Sequence, residues 1–572
     1  MNSLVLIIVS LIGYLIAYRF YGSFLGRKIF SLSAKRLMPA HEFRDGVDYV
    51  PAKRNIIFGH HFTTIAGLGP IVGPAIGIIW GWLPAFLWVF LGSIFMGAVH
   101  DFSTLVVSAR SKGRSMGELT ADIISPATRY ALQFIMQLLL FIVLAVFAMI
   151  VASLFVNYPE AVIPVWAQIP VAVWLGWKIR QGKHELLWSF VALLLLYAFV
   201  LLGIRFPVSL PWKHEISVVV WCIILFIYVF FASTVPVQKL LQPRDYINSH
   251  QLMLAMLFLI LGIFVARPDF SAPAINEIAF QEGSDVPDLA PVMFIVIACG
   301  AISGFHSLAS SGTTVKQVNS ELDTLPVGYG AMITESFLAV LVLVSAGAGL
   351  GMGLDTEVGL LHGVDAYHHH YASWSSANGL SAKLDAFIIG SANLFSSLGL
   401  PVKYGSAFVV VFIVSFANTT LDSATRIQRI SLQEIFTGQD KKIRKPMNNR
   451  YLATAFIVVA AAAMTFFKPG GQGAMVLWPL FGSLNQLMAA LALGVVSVYL
   501  AARKIPVWYT LLPMLLILVL TLWAMVKNLA GFIADQEWLL VILSALILGL
   551  TSWLTLSSIK ALFSRTGKTA NK

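Results

Sequence analysis

Long apolar blocks alternate along the chain with short polar connections, and about fifteen of the blocks approach the roughly 20 residues that a helix needs to cross a bilayer. They fall near residues 3–18, 56–80, 84–109, 131–156, 161–177, 186–204, 216–236, 251–266, 291–311, 327–352, 403–423, 451–467, 475–500, 507–526 and 538–559. No long polar tract separates them, so the pattern predicts an all-α polytopic membrane protein, with residues 1–572 forming one integral membrane domain. Within it, 56–352 is the expected core and 403–572 a C-terminal helical part. The first block, Leu4 to Tyr18, lacks a basic leader and a small-residue cleavage pattern, and is expected to stay as a helix. Leu384 to Leu400 is apolar but interrupted by Gly390, Ser391, Asn393, Ser396, Ser397 and Gly399, and is expected to be re-entrant or to lie on the outer surface.

Two blocks carry residues that a plain spanning rod would not use. FGHHFTTIAGLGPIVGPAIGI, Phe58 to Ile78, holds two histidines, two threonines, five glycines and two prolines. ISGFHSLASSGTT, Ile302 to Thr314, repeats part of it: Ile57, Gly59, His61 and Gly67 have the same spacing as Ile302, Gly304, His306 and Gly312. Glycine and proline unwind helices, and non-helical backbone at membrane depth is tolerated only where protein or a watery cavity satisfies its polar groups. In transporters such breaks sit at the midplane and are related by inversion. The two blocks run in opposite directions, which fits an inverted repeat of seven spans. A five-span repeat would instead pair the first with Phe231 to Gln238, FASTVPVQ, also expected to be broken. The competing reading is that the glycines only allow close helix packing.

Composition agrees: 58% of residues are hydrophobic and 11% charged, against about 25% charged in soluble domains. With the amino terminus outside, 31 of the 38 Lys and Arg residues fall on inner loops, the bias expected of cytoplasmic loops. The carboxyl terminus is then cytoplasmic. The net charge of +11 therefore reports topology rather than nucleic-acid binding; the one dense cluster, Lys441, Lys442, Arg444 and Lys445, would touch anionic lipid or simply line an inner loop. Cys222 and Cys299 lie in apolar blocks and make no disulfide framework. Three consecutive histidines in YHHHY, Tyr367 to Tyr371, point in different directions and do not build a metal site. No nucleophile or phosphate loop stands out, and PRDY (Pro243 to Tyr246) lacks the necessary glycines, so an enzyme is not expected.

Ionisable groups inside spans are costly and mark ion or proton pathways. Here they are His60, His61, His100, Asp101, His306, Glu335 and Asp422. Asp422 has Arg426 four residues on, a spacing that predicts a structural ion pair. Asp101 and Glu335 have no such partner and, with His100, are the expected proton carriers.

The chain resembles the carbon starvation protein A family in RNIIFGHHFTTIAGLGPIVGP (Arg54 to Pro74), GAVHDF (Gly97 to Phe102), PRDY, ACGAISGFHSLASSGTT (Ala298 to Thr314), GYGAMITES (Gly328 to Ser336), LDSATR (Leu421 to Arg426) and LWPLFGSLNQ (Leu477 to Gln486). LDSATR departs from the family's usual LDAGTR. The resemblance implies an inner-membrane transporter tied to carbon starvation, some members taking up peptides and others pyruvate with protons. The expected function is uptake of a small carboxylate, coupled to H+ with no other cofactor. The alternative is a membrane nutrient sensor that binds the same ligands without net transport. Gly59, His60, His61, Thr63, Thr64, Gly67, Gly304, His306, Ser310, Ser311, Gly312 and Thr313 are the expected substrate site. Membrane lipid is the expected surrounding partner, and a helper subunit or a homo-oligomer is compatible with the sequence.

Overall fold

A computed structural model describes residues 2–181, 184–436 and 447–567. Twelve of its helices are long and apolar enough to cross a membrane, and one bent pair, Arg54–Ile65 with Gly69–Trp80, raises the number to 13. The expected fifteen is too many. The block at 291–311 is divided among three short helices, and that at 451–467 forms a helix, Arg450–Phe466, of only 17 residues. Among the described residues the sheet content is one hairpin, Leu354–Thr356 with Gly359–Leu361. The basic cluster Lys441 to Lys445 lies outside the described residues.

Eleven helices position the site: α1 (Arg54–Ile65), α2 (Gly69–Gly77), α3 (Ala98–Arg110), α4 (Leu241–Ala266), α5 (Leu289–Val296), α6 (Ala298–Ala301), α7 (Gly304–Gly312), α8 (Ala331–Val344), α9 (Leu380–Ser396), α10 (Val402–Phe436) and α11 (Trp478–Ala501). Both unusual blocks are broken. α1 stops at Ala66, whose ψ of 48° leaves the helical region, and α2 restarts at a 48° bend with Pro70 in its first turn, where its missing N–H costs no hydrogen bond. The second block breaks at Ile297, with ψ 46°, and again at Ile302 and Ser303, which are extended. The two broken stretches lie against each other. A Cβ on Gly73 would stand 2.5 Å from the Val296 carbonyl oxygen, and one on Gly69 would stand 2.1 Å from Cys299 Sγ. Glycine here permits close approach, as the packing reading held, in the same stretches that are interrupted. Phe231 to Gln238 is not a third break: the helix His214–Thr234 ends there and the chain turns into α4.

Asn2 bridges to Asp269, so the amino end and the 267–288 connection share one face. Helix Glu321–Met352 ends on that face, since Ser271 donates to the Gly347 carbonyl, and α10 begins there. α9 leaves and returns on the same side. It is not among the crossing helices, and it packs through Gly390, where a Cβ would stand 2.0 Å from the Ser345 carbonyl oxygen.

Candidate functional site

Adjacent residues on a helix point about 100° apart, so His60 and His61 of α1 address different neighbours. His61 donates through Nε2 to Asp101 of α3 at 2.9 Å and through Nδ1 meets the Thr314 hydroxyl at 2.8 Å. Asp101 also accepts from the Ser310 hydroxyl of α7 and lies 3.8 Å from His306 Nδ1. On its other side, His306 Nε2 is 3.2 Å from Glu335 of α8. The result is one row, Glu335, His306, Asp101, His61 and Thr314, joining α8, α7, α3 and α1, every member 0% exposed. The row brings together both carboxylates and two of the histidines expected from sequence. His100, beside Asp101 in the chain, is buried with neither ring nitrogen hydrogen-bonded.

His60 builds a second cluster. Its Nδ1 is 2.5 Å from Asp245 of α4, while the Gln317 amide donates to Nε2 at 2.9 Å and Thr313 lies 3.2 Å away. That arrangement places the imidazole proton on Nδ1, facing the carboxylate. Arg244, one residue earlier, reaches Asp422 at 2.5 Å and Thr419 at 2.7 Å and donates to Tyr228, which itself donates to Asp422 at 2.8 Å.

The expected pair of Asp422 with Arg426 is thus replaced. Both share a face of α10, but Arg426 extends the other way, to Asp48 at 2.6 Å. Arg429 joins it on Asp48 at 2.8 Å. Burial by itself would raise the Asp48 carboxyl; Arg429 and Arg426 outweigh it and hold the group down to about 2. Arg54 on Asp323 at 2.6 Å, and Arg110 at 2.7 Å with Arg36 on Glu321, complete a belt of ion pairs across the face opposite the amino end.

The residues expected to hold substrate are engaged with protein. Thr63 donates to the Gly59 carbonyl, Thr64 to the His60 carbonyl and Ser311 to the Ser307 carbonyl, at 2.6–2.8 Å. A Cβ on Gly59, Gly67, Gly304 or Gly312 would meet Ser249, Thr420, Asn485 or Ile427 within 2.1–2.9 Å. The amide end of α7 is not free either, because Asn485 of α11 accepts from the Phe305 N–H at 2.9 Å and from Ser303 at 3.1 Å. A cavity of about 390 Å³ opens instead toward the amino-terminal face, between Gly69 and Gly73 of α2 and Val296 and Cys299 of α5 and α6. Its size suits a small molecule. Cys299 on its wall connects to the interior through Ser303, 3.5 Å away, and then Asn485.

The family model of carbon starvation protein CstA matches residues 2–524. The chain belongs to this family. Peptide transporter CstA of Campylobacter jejuni is 32% identical, the match covering 93% of this chain and 81% of that protein. The pyruvate/proton symporter BtsT of Escherichia coli is 31% identical over 92% of this chain and 81% of its own length. Among solved structures, a manganese transporter of Eremococcus coleocola shares the fold with a TM-score of 0.50 and 13% identity, covering 90% of this chain and 99% of that one. This CstA-family chain is a multi-pass membrane protein of a transporter family, not an enzyme.

In this CstA-family member Arg244, Asp245, Gln317 and Asn485 belong to the site without having been expected from sequence. Arg244 and Asp245 stand in PRDY, which enters the sequence reading as a family motif and as a rejected phosphate loop, ahead of an apolar block placed at 251–266. The helix begins at Leu241, so both charges lie inside it. Two adjacent charges, Arg and Asp, directly ahead of an apolar run were the available signal.

Proposed function

We propose that the chain is a proton-coupled secondary transporter that takes up a small carboxylate nutrient, a peptide or pyruvate, under carbon limitation. It would sit in the inner membrane with its amino terminus outside and its carboxyl terminus in the cytoplasm. The observation that carries this reading is Asp101: one carboxylate holds α1 through His61 and α7 through Ser310, and so ties together both interrupted stretches. With Asp101 charged, both contacts are charge-assisted and strong. A proton on Asp101 weakens both at once and frees the two stretches to move relative to each other. Glu335 and His306 extend the same row and supply the proton. The names of the relatives support the substrate class, and the opposed directions of the two broken stretches support an inverted repeat.

The test is uptake of labelled pyruvate and of alanyl-alanine into liposomes holding only this protein, with an inward proton gradient. Uptake of at least one should acidify the interior and collapse with a protonophore. Uptake that persists unchanged without the gradient defeats the coupling. Asp101→Asn should abolish gradient-driven accumulation.

A further inference from the structure

With the amino terminus outside, seven of the 38 Lys and Arg residues fall on the amino-terminal face. Six of them, Arg205, Lys213, Arg267, Lys403, Lys468 and Lys527, are exposed, as loop cations ordinarily are. Lys383 of α9 is 4% exposed and lines the 390 Å³ cavity. Its side-chain ammonium makes no hydrogen bond or ion pair among the described residues. The nearby acids are committed elsewhere: Asp288 pairs with Lys527, and Asp285 accepts from the Trp374 and Ser375 amides at 3.0 and 3.2 Å. Buried cations are normally paired, because an isolated ammonium loses its hydration. A lysine withdrawn from water, left without a counter-charge and turned to a hollow has the chemistry of an anion receptor. The rest of the wall supplies the side-chain amides of Asn378 and Asn528, the Trp374 and Trp478 rings, and Cys299.

We infer that Lys383 anchors the carboxylate of an incoming small organic acid in an outer subsite, in the cavity between α2 and α5–α6, before the ligand passes inward beyond Cys299. The inference rests on the proposal that the transported molecule is a carboxylate. Lys383 supplies the charge, Asn378 and Asn528 the neutral polar contacts, and the ring faces the cover for an apolar remainder. A ligand whose carboxyl is replaced by an amide loses the main attraction.

Cys299 provides the readout. Of the two cysteines, Cys222 is fully buried at 0% and Cys299 lines the cavity, so N-ethylmaleimide should label the full chain at Cys299, and Cys299→Ala should abolish the labelling. Pyruvate or alanyl-alanine should slow the labelling, and pyruvamide or alanyl-alaninamide should not. Lys383→Gln should leave the rate without ligand unchanged, which shows the cavity intact, and raise the half-protecting concentration at least tenfold; Lys383→Arg should restore most of the protection. Equal protection by acid and amide, or protection unchanged in Lys383→Gln, overturns the subsite. If the wild-type chain still takes up the same acid into liposomes, the proposed function survives that failure. A wild-type chain that is neither protected by the acids nor transports them overturns both.

Discussion

Arg244 and Asp422 offer the sharpest quantitative test of the packing. Both are 1% exposed, and Asp422 takes two donors, Arg244 at 2.5 Å and Tyr228 at 2.8 Å. Arg244→Met strands a buried carboxylate, and Asp422→Leu strands a buried guanidinium; removal of one partner from such a pair costs about 3–5 kcal/mol. Arg244→Met with Asp422→Leu removes both charges and replaces them with apolar volume, which is neutral or stabilising by about 1–4 kcal/mol in comparable cases. The two single effects should therefore fail to add by about 3 kcal/mol or more, where independent sites add within roughly 0.5. Equilibrium unfolding in mixed detergent and SDS, followed by tryptophan fluorescence, gives the four corners of the cycle. The same cycle between Asp422 and Arg426 should show coupling below about 1 kcal/mol, since Arg426 is held by Asp48. Coupling of Asp422 to Arg426 rather than to Arg244 would refute the arrangement. Liposome uptake by the doubly apolar variant should persist, because the pair is outside the row that holds Asp101.

Asp48 predicts an acid limit to stability. Its folded carboxyl is depressed to about 2, so its contribution, on the order of 2 kcal/mol, is present above pH 4 and is lost as pH falls from about 4 to 2; the unfolding midpoint of Asp48→Asn should lie below wild type at pH 6 and converge with it near pH 2. Gly69→Ala places a Cβ 2.1 Å from Cys299 Sγ and 2.4 Å from its Cβ, an overpacking worth about 1–3 kcal/mol; adding Cys299→Gly should recover most of the loss in the same unfolding assay, and a harmless Gly69→Ala would show that the approach is not that close. Glu335→Gln should abolish proton-driven accumulation but spare counterflow of labelled substrate, and unaltered accumulation would remove Glu335 from the coupling row.

The apolar blocks made the helical class and most crossings legible, because an intramembrane helix needs only length and hydrophobicity to declare itself. The breaks at Ala66 and at Ile302–Ser303 were legible for the same local reason: glycine and proline act on their own backbone. What was not legible was partnership. His61 and Asp101 are 40 residues apart and His60 and Asp245 are 185 apart, so no spacing rule connects them. The one pair that a spacing rule did predict, Asp422 with Arg426, gave way to two distant partners, since inside a bundle a charge settles where geometry satisfies it best. Asn485 was hidden because an amide on an apolar helix advertises nothing until the α7 amide end appears opposite it.

In the proposed cycle the same helices connect the proton row to the closed face. α1 carries His61 and, seven residues earlier, Arg54 of the ion-pair belt; at 1.5 Å per residue the two are roughly 10 Å apart. α3 carries Asp101 and, nine residues later, Arg110, roughly 13.5 Å away. Glu335 lies in the helix that begins at Glu321, whose carboxylate receives Arg110, with Asp323 receiving Arg54. Each helix is a rigid lever with a titratable group inside the bundle and a bridge at its end. A proton that releases His61 and Ser310 from Asp101 therefore loosens α1 and α7 where they touch α3, and a small tilt there is carried along α1 to Arg54 and along α3 to Arg110. Two of the bridges at the far face are partly solvated, with Arg54 59% and Arg36 41% exposed at their side chains, so those two are weak alone, while Arg110 on Glu321 is largely buried. Such a belt holds while the helices are tied together and opens once they are not, which is the property a gate opposite the open cavity requires.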